Sequence, residues 1–335
     1  MGVLEEAVDP LADRTEFSGV VRADRAGRIE FAKAYGLADR GHHIANTIDT
    51  QFGIASGTKG LTALTVVSLI EDGSLDLSTT ARSVLAEDLP LIEDDVTVEH
   101  LLAHRSGIGD YLDESADPDR TAYLMQVPVH ELAETEQYLV VLGGHPTAFP
   151  AGERFAYCNG GYVLLALIAE RVSGVSFHEL VSTRVCQPAG MEDTAFLRSD
   201  ELPGRAAVGY LSGDGPRTNV FHLPVRGGGD GGIYSTAADI SSLWSAFFAG
   251  RIVSREWASE MVRPRSEGPG ASDRYGLGFW LHASTDVVML EGSDAGVSFR
   301  SNHDPTTSTT YTVISNTTEG AWPIVELLDE RMGMR

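Results

Sequence analysis

The stretch Phe52-Gly-Ile-Ala-Ser-Gly-Thr-Lys59 leads directly into a long helical pattern. Apolar residues then recur at near-helical spacing, at Leu61, Leu64, Val67 and Ile70. The pattern predicts a helix that begins close to Ser56 and stops at Gly73. Because side chains three residues apart lie on one helix face, Lys59 is expected to lie beside Ser56.

The pair formed by Ser56 and Lys59 has a chemical interpretation. A serine hydroxyl is a weak nucleophile that needs an adjacent base. A lysine can serve as that base when a helix N-terminus and burial favour its neutral form. The same geometry would direct the Ser56 backbone N–H into a cleft as an oxyanion donor. The spacing S-x-x-K is also common by chance, and a capping serine with a solvated lysine is the alternative interpretation of this motif alone.

A second candidate motif, Tyr157-Cys158-Asn159, follows a turn at Pro150-Ala-Gly152 and precedes a helical pattern that ends at Gly174. Residues two apart in an extended or tightly turned tripeptide point the same way, so Tyr157 and Asn159 are expected to share a site. The phenol could act as an acid or a base, and the amide could orient substrate or Lys59. A buried tyrosine and a turn asparagine would explain the tripeptide if it stood alone.

Short β-rich runs occur at both ends of the chain. They span residues 17–21 and 28–32, around a turn at 24–27, and then 275–281, 287–290, 297–302 and 309–315. Helices are predicted after Thr97, after Thr236 as far as Gly250, and from Trp322 to about Met332.

This order of elements predicts an α/β protein whose antiparallel sheet is flanked by helices. Residues 1–75 and 220–335 would form a discontinuous sheet lobe, and residues 76–219 an inserted, mostly helical lobe. The active site is expected in the cleft between the two lobes.

Composition excludes several classes of partner. The chain of 335 residues has a net charge of −23, which disfavours nucleic acid and anionic membrane surfaces. Only two cysteines are present, and the N-terminus carries neither a basic segment nor an apolar run. A cytoplasmic protein without a disulfide framework is therefore expected. The oligomeric state is left open by the sequence.

Both motifs, in this order, resemble the serine β-lactamase-related family, which includes class C β-lactamases, D-alanyl-D-alanine carboxypeptidases and esterases. The stretches that carry the resemblance are Phe52–Lys59, Leu101-Leu-Ala-His-Arg-Ser-Gly107, Pro150-Ala-Gly-Glu-Arg-Phe-Ala-Tyr-Cys-Asn159, Gly231-Gly-Ile-Tyr-Ser-Thr-Ala-Ala-Asp239 and Tyr275-Gly-Leu-Gly-Phe-Trp280. The resemblance implies a β-lactamase-like fold with Ser56 as nucleophile. It also implies Lys59 and Tyr157 as proton-handling partners.

A third family motif, Lys-Thr-Gly or His-x-Gly on the strand lining the cleft, is altered here. The matching stretch is Glu291-Gly-Ser-Asp-Ala-Gly-Val-Ser-Phe299, and we place Ser293 at the position of the family's cation. Asn159, Ser293, Asp294 and Gly296 are accordingly predicted to bind substrate. Because a cation is missing and Asp294 adds negative charge, an uncharged ester should fit better than a substrate ending in a carboxylate.

Two other motifs have weaker interpretations. Gly227, Gly229 and Gly232 match G-x-G-x-x-G, but no clear strand precedes them, so close backbone approach is favoured over dinucleotide binding. His100 and His104 are spaced to share a metal ion, yet no third ligand is evident. No metal and no cofactor are therefore predicted.

The sequence favours a serine hydrolase that forms an acyl-enzyme on a small ester or amide. A true β-lactamase or D-alanyl peptidase is one alternative. A penicillin-binding-like protein that is acylated without turnover is the other. Neither the physiological substrate nor the choice between Lys59 and Tyr157 as acylation base can be read from the residues.

Overall fold

The computed structural model describes residues 2–113, 119, 121–268, 270 and 273–334. Its main sheet has eight antiparallel strands in the order β2-β1-β12-β11-β10-β9-β8-β7. These strands are β1 (Gly19–Arg25), β2 (Arg28–Tyr35), β7 (Ser266–Glu267), β8 (Asp273–Tyr275), β9 (Trp280–His282), β10 (Val288–Asp294), β11 (Val297–Asp304) and β12 (Thr309–Ser315). Two small pairs are formed by β3 (Leu37–Asp39) with β4 (Ile44–Ala45) and by β5 (Phe52–Gly53) with β6 (Tyr234–Ser235).

Helices cover both faces of the sheet. They are α1 (Val3–Arg14), α2 (Thr58–Glu71), α3 (Ala81–Leu85), α4 (Val98–Leu102), α5 (Leu139–Leu142), α6 (Asn159–Ser173), α7 (Phe177–Val181), α8 (Gln187–Ala189), α9 (Ala237–Ala249), α10 (Arg255–Met261) and α11 (Trp322–Met332). One face packs on α1 and α11 through a core that includes Val21, Val313 and Leu328. The larger core on the other face includes α2, α6 and α9.

Helix α2 lies at the centre of the larger core, and every residue from Thr58 to Ile70 is buried. Sheet and helices surround it, and its buried polar side chains are hydrogen-bonded, as Thr62 is to the Gly229 carbonyl and Lys59 to Asn159. Gly60 allows β10 to approach closely, since a Cβ atom there would lie 2.5 Å from Leu290 Cδ2. The helix that carries the predicted motif is therefore held by core packing along its whole length.

Several predicted elements are confirmed. Strand β12 and helix α11 have the predicted bounds. The hydroxyl of Thr236 accepts a hydrogen bond from the Asp239 backbone at the start of α9, and Gly250 ends that helix in the left-handed region. The fold class predicted from the sequence is correct. The division into two lobes at residues 75 and 220 stays a prediction.

One element prediction is wrong, and one helix was missed. The single strand expected over 275–281 is two strands, because Gly278 has φ +91° and breaks the run between β8 and β9. Helix α1 was not predicted, although its buried Val8 and Ala12 pack in the core beneath α11. No single described helix is long and apolar enough to span a bilayer, whereas α6 together with Phe177–Ala189, bent by 88°, meets the length and composition criteria as a pair.

Candidate active site

Ser56 lies in a 3₁₀ turn, Ala55–Gly57, that runs directly into α2. The side chain is half-buried at the point where the larger core opens to the surface. Ala55 has φ +45°, a left-handed conformation that disfavours a residue with a Cβ atom. Strained backbone of this kind is found at functional sites, where surrounding contacts hold it in place. The predicted location of Ser56 at the start of the helix is confirmed.

Lys59 lies one turn later and is buried, with 2% of its surface exposed. Its Nζ atom is 3.0 Å from Ser56 Oγ, 2.8 Å from Asn159 Oδ1 and 2.8 Å from the Asp230 carbonyl oxygen. A neutral amine has two N–H groups and one lone pair. If the amide and carbonyl oxygens accept those two N–H groups, the lone pair is directed at the serine hydroxyl. The three groups predicted from two separate motifs are thus brought together.

Asn159 is held by a carboxylate that the sequence analysis missed. Asp110 accepts hydrogen bonds from the backbone N–H groups of Asn159 at 2.7 Å and Gly160 at 2.8 Å, at the start of α6. The Asn159 side chain also donates to the Leu112 carbonyl at 3.0 Å. Burial raises the pKa of Asp110 to about 6, although its hydrogen bonds with the backbone act in the opposite direction. Asp110 lies 49 residues before Asn159 in the chain, and no local spacing signals the contact.

Tyr157 is half-buried and lies on the other side of Lys59. The Lys59 Nζ atom is 4.8 Å from the centre of its ring, and Trp280 stacks on the ring at 6.0 Å with an interplanar angle of 12°. His104 lies 4.4 Å from the same ring, measured between centroids, and accepts a hydrogen bond from the Cys158 backbone. Burial and then the Lys59 charge lower the pKa of His104, which therefore stays neutral. His104 thus helps to hold the irregular segment that carries Tyr157.

The third motif requires a correction of register. A Cβ atom on Gly292 would lie 2.2 Å from the Ile54 carbonyl oxygen and 2.8 Å from the Ser56 nitrogen. Leu290, two residues earlier, packs on Gly60 of α2. Because alternate residues of a strand share a face, Leu290 and Gly292 face the nucleophile helix. Ser293 faces the opposite side, so Leu290 stands where the sequence analysis expected Ser293.

Ser293 contributes through its backbone. Asp294 and Val297 close a two-residue turn, so the hydrogen-bonded pairs between β10 and β11 fall at Asp294, Gly292 and Leu290. The N–H group of Ser293 therefore points away from β11, toward the edge of β10. Strand β9 pairs with β10 at Val288 and Met289, and no strand among the described residues pairs with this edge of β10 farther along, beside Ser56. Two backbone N–H groups, those of Ser56 and Ser293, thus border the place where a substrate carbonyl oxygen would sit.

The remaining predicted residues have different surroundings. Asp294 is half-buried and lines a depression that reaches Ser56. Gly296 has φ +75° and forms the turn, where a Cβ atom would lie 2.9 Å from the Tyr210 nitrogen. Gly296 therefore packs against the Tyr210 segment, and its assignment to substrate binding stays an untested prediction. Ser293 lines a second depression that also reaches Ser56, but its hydroxyl oxygen is buried and has no hydrogen-bond partner among the described residues.

Ser56 therefore lies between two chambers. We call the first the aromatic chamber; its walls include Tyr111, Tyr123, Tyr138, Tyr234, Asp230 and Asp294. The second is the polar chamber; its walls include Arg105, Asp110, Tyr157, Arg265, Trp280 and Glu291. Both chambers include Ser56 in their lining, so a substrate bound at Ser56 can place one part in each.

The histidines and glycines of the weaker motifs have structural partners. His100 Nδ1 accepts from the Thr97 backbone at the start of α4, so this nitrogen and that of His104 are both engaged by backbone groups. Among the described residues, no group of three or more potential ligands could hold a metal ion. Gly229 lies against the Tyr162 carbonyl, where a Cβ atom would be 2.1 Å away, as expected for close backbone approach.

The fold and this serine–lysine site define a family. The chain belongs to the Beta-lactamase family, whose sequence model matches residues 4–326. Esterase EstB of Burkholderia gladioli is 30% identical over 315 residues, which cover 84% of this chain and 79% of the esterase. The structure of a penicillin-binding protein from Bacillus halodurans is 34% identical and has a TM-score of 0.90, covering 96% of this chain and 98% of that one. The resemblance predicted from the sequence is confirmed.

Other relatives are larger proteins. The penicillin-binding protein PbpX of Bacillus subtilis is 28% identical over 269 residues, and the match covers 79% of this chain and 62% of PbpX. A match to a second penicillin-binding protein of that bacterium covers 66% of its length. A D-aminopeptidase of Brucella anthropi is 29% identical over 79% of this chain and 49% of its own. The chain thus spans about half to two thirds of these curated relatives.

Proposed function

We propose that this chain is a serine hydrolase that cleaves small esters or amides through an acyl-enzyme on Ser56. The observation that carries the proposal is the contact of 3.0 Å between Lys59 Nζ and Ser56 Oγ, with Asn159 and Asp230 holding the amine. A solvated lysine beside a capping serine would not be buried against two further acceptors. That geometry is the one required of a nucleophile and its base.

The reaction proceeds in two stages. Lys59, directly or with Tyr157, takes the proton of Ser56 as Oγ bonds to the substrate carbonyl carbon. The carbonyl electron pair moves onto oxygen, where the N–H groups of Ser56 and Ser293 stabilise it. The carbonyl reforms, the bond to the leaving group breaks, and the leaving group takes the proton. Water then repeats the sequence on the ester of Ser56 and releases the acid.

Electrostatics favour substrates without a carboxylate. Leu290 stands on the face of β10 where a cation is expected in the family, and Arg300 is paired with Glu291. Arg226, a second candidate cation, is engaged by Glu134 at 3.3 Å. The described walls of the polar chamber hold three arginines and five carboxylates: Arg105, Arg154, Arg265, Asp110, Asp113, Glu153, Glu267 and Glu291. An anionic substrate would therefore lose its hydration without gaining a dedicated cation.

The test measures hydrolysis of p-nitrophenyl acetate by wild type and by Ser56→Ala, together with covalent labelling by a fluorophosphonate. Ser56→Ala should lose activity by at least about 10³-fold and should not be labelled. Ser259→Ala, which removes an exposed hydroxyl on α10, should behave as wild type. Turnover by Ser56→Ala equal to that of wild type would exclude the proposed nucleophile.

A second candidate function is supported by the similarity to the Bacillus halodurans penicillin-binding protein. Such a protein would be acylated by a β-lactam and release it slowly. Product counting separates the two functions, because a hydrolase releases many equivalents of p-nitrophenol per chain. A protein that is only acylated releases at most about one equivalent.

A further inference from the structure

A buried hydroxyl group lies beside the turn that carries Ser56. It belongs to Thr58, the first residue of α2, whose side chain has no exposed surface. The Oγ1 atom of Thr58 donates a hydrogen bond to the Ala55 carbonyl oxygen at 2.7 Å. The same atom accepts a hydrogen bond from the Ile233 backbone N–H at 3.2 Å. The hydroxyl therefore acts as both donor and acceptor inside the core.

The hydroxyl links the turn to a segment that is distant in sequence. The Thr58 backbone N–H is also directed at the Ala55 carbonyl, but that bond only closes the turn on itself. Ile233, in contrast, lies just before β6 and also accepts a hydrogen bond from the Ile54 N–H at 3.0 Å. Two hydrogen bonds thus connect the nucleophile turn to this segment, one on each side of Ala55.

Packing encloses the peptide group that joins Ala55 to Ser56. A Cβ atom on Gly231 would lie 3.6 Å from both the carbonyl carbon and the carbonyl oxygen of Ala55. On the side of β10, a Cβ atom on Gly292 would lie 2.8 Å from the Ser56 nitrogen. The peptide group therefore lies between two segments of the chain.

The orientation of this peptide group decides where the Ser56 N–H points. The bond is trans and planar, so the Ala55 carbonyl and the Ser56 N–H point in opposite directions. Because Thr58 holds the oxygen toward the core, the N–H is directed to the other side, where Ser56 borders the two chambers. That N–H is one of the two oxyanion donors in the proposed mechanism.

The orientation needs support because the backbone at Ala55 is strained. Its φ of +45° is unfavourable for a residue with a Cβ atom. Relaxation of Ala55 toward negative φ would turn the neighbouring peptide groups and move the Ser56 N–H away from the oxyanion. A hydrogen bond at the carbonyl end of the peptide opposes this rotation.

We propose that Thr58 is a positioning residue, whose hydroxyl holds the Ala55 carbonyl so that the Ser56 N–H stays aimed at the oxyanion. Thr58 itself neither touches the substrate nor transfers a proton. The inference rests on the proposed hydrolase function and adds to it the group that sets the direction of one oxyanion donor. Because the oxyanion forms only after attack, loss of the hydroxyl should lower kcat and leave KM unchanged.

The matched variants Thr58→Ser and Thr58→Ala test the proposal. Both remove the methyl group, but only Thr58→Ala removes the hydroxyl. For p-nitrophenyl acetate, kcat of Thr58→Ala should be about tenfold below that of Thr58→Ser, because one oxyanion donor is misaligned and not lost. Thr58→Val, which keeps the size of the side chain, should resemble Thr58→Ala. Equal kcat values in the serine and alanine variants would overturn the proposal.

A second substrate distinguishes positioning from a general loss of structure. In p-nitrophenyl thionoacetate, sulfur replaces the carbonyl oxygen, and sulfur is a weaker acceptor that gains less from an oxyanion donor. The ratio of kcat/KM for the oxygen ester to that for the thionoester, corrected for the rates in buffer, should fall in Thr58→Ala and be retained in Thr58→Ser. Thr65→Val removes another buried hydroxyl of α2, which bonds the Leu61 carbonyl at 2.9 Å, and should keep the wild-type ratio. An equal loss for both substrates in Thr58→Ala would show a merely structural role.

The outcomes separate this proposal from the proposed function. If Ser56→Ala hydrolyses p-nitrophenyl acetate as fast as wild type, the hydrolase assignment fails. If hydrolysis requires Ser56 but Thr58→Ser and Thr58→Ala have the same kcat and the same ratio, only the positioning proposal fails. Circular dichroism checks the fold of each variant. If Thr58→Val does not fold because the Ile233 N–H is left without an acceptor, the serine and alanine pair still decides the question.

Discussion

The two chambers that meet at Ser56 differ in both charge and shape. The aromatic chamber is walled by tyrosines, with Asp230 and Asp294 as its charged groups, whereas the polar chamber mixes arginines and carboxylates around Tyr157. Ser56 thus borders two environments of different chemistry. On the proposed function, we expect the two chambers to affect substrate choice and proton transfer separately, and each can be tested by changes that leave the other intact.

The largest effect is expected at Lys59, which lies behind the residue that both chambers share. Lys59→Ala should lower kcat for p-nitrophenyl acetate by about 10³-fold or more, because Ser56 loses the group that accepts its proton. The double variant with Ser56→Ala should be no worse than Ser56→Ala alone, since the two residues act as a unit. Lys33→Ala, which removes an exposed lysine paired with Asp9 at 2.6 Å, is the control. Additive losses in the double variant would contradict the shared role.

The next effect isolates the polar chamber. Tyr157→Phe should lower kcat by about 10²-fold, because the ring still packs on Trp280 but cannot transfer a proton. KM should change little, because the ring and its packing on Trp280 are retained. Tyr35→Phe removes a hydroxyl that bonds Asp9 far from the site, and its kinetics should match wild type. Full activity in Tyr157→Phe would leave Lys59 as the single assigned proton carrier.

A smaller effect tests the charge of the site as a whole. A β-lactam with a free carboxylate, such as nitrocefin, should react with a kcat/KM at least about tenfold below that of the same compound as its methyl ester. The pair changes charge while it keeps the lactam ring. Acylation of Ser56 is followed by mass spectrometry and turnover by absorbance. A free acid that reacts as fast as its methyl ester would show that another cation replaces the one absent from β10.

The smallest effect concerns pH. The carboxylate of Asp110 accepts bonds from the start of α6, and its pKa is raised to about 6. As the pH falls through about 6, the Asp110 carboxylate is protonated and one of its acceptor oxygens becomes a hydroxyl. Asn159 is then held less firmly, so we expect kcat/KM to decrease a few-fold. In Asp110→Asn, the maximal kcat/KM should be lower and the decrease at acid pH should be absent. Asp76→Asn changes a carboxylate at an exposed turn, and it should retain the decrease at acid pH.

The stability change caused by Asp110 has the opposite sign. A carboxyl group whose pKa is higher in the folded than in the unfolded chain favours folding when it is protonated. Its contribution is fully present below its ordinary pKa of 3.8 and is lost as the pH rises through about 6. Urea titrations of wild type and Asp110→Asn at several pH values measure this term. If the free energy of unfolding also decreased at acid pH, the loss of activity there would be due to unfolding and not to Asp110.

The sequence predicted the parts of the site that depend on local spacing. Ser56 and Lys59 are one helical turn apart, so periodicity was sufficient to place them side by side. Asn159 was grouped with Tyr157 by the spacing of the tripeptide, although it is the first residue of α6. Asp110 was missed because its contact with Asn159 depends on the tertiary fold. The register of the third motif was misplaced at Ser293, because only the packing of Gly292 on the nucleophile turn shows which strand face is turned inward. The break at Gly278 depends on a backbone angle that residue type alone does not give.

The left-handed backbone of Ala55 has a consequence for how this site tolerates mutation. An alanine at φ +45° stores conformational energy of about 1 kcal/mol that a glycine would release. Replacing Ala55 by glycine should therefore relieve strain in the folded chain, yet give the nucleophile turn more freedom to leave its reactive position. Gly292 of β10 and Phe299 of β11 pack against this turn and hold it in place. A substitution at Phe299 would loosen the turn through Gly57, whereas a side chain at Gly292 would press directly on the Ser56 backbone nitrogen.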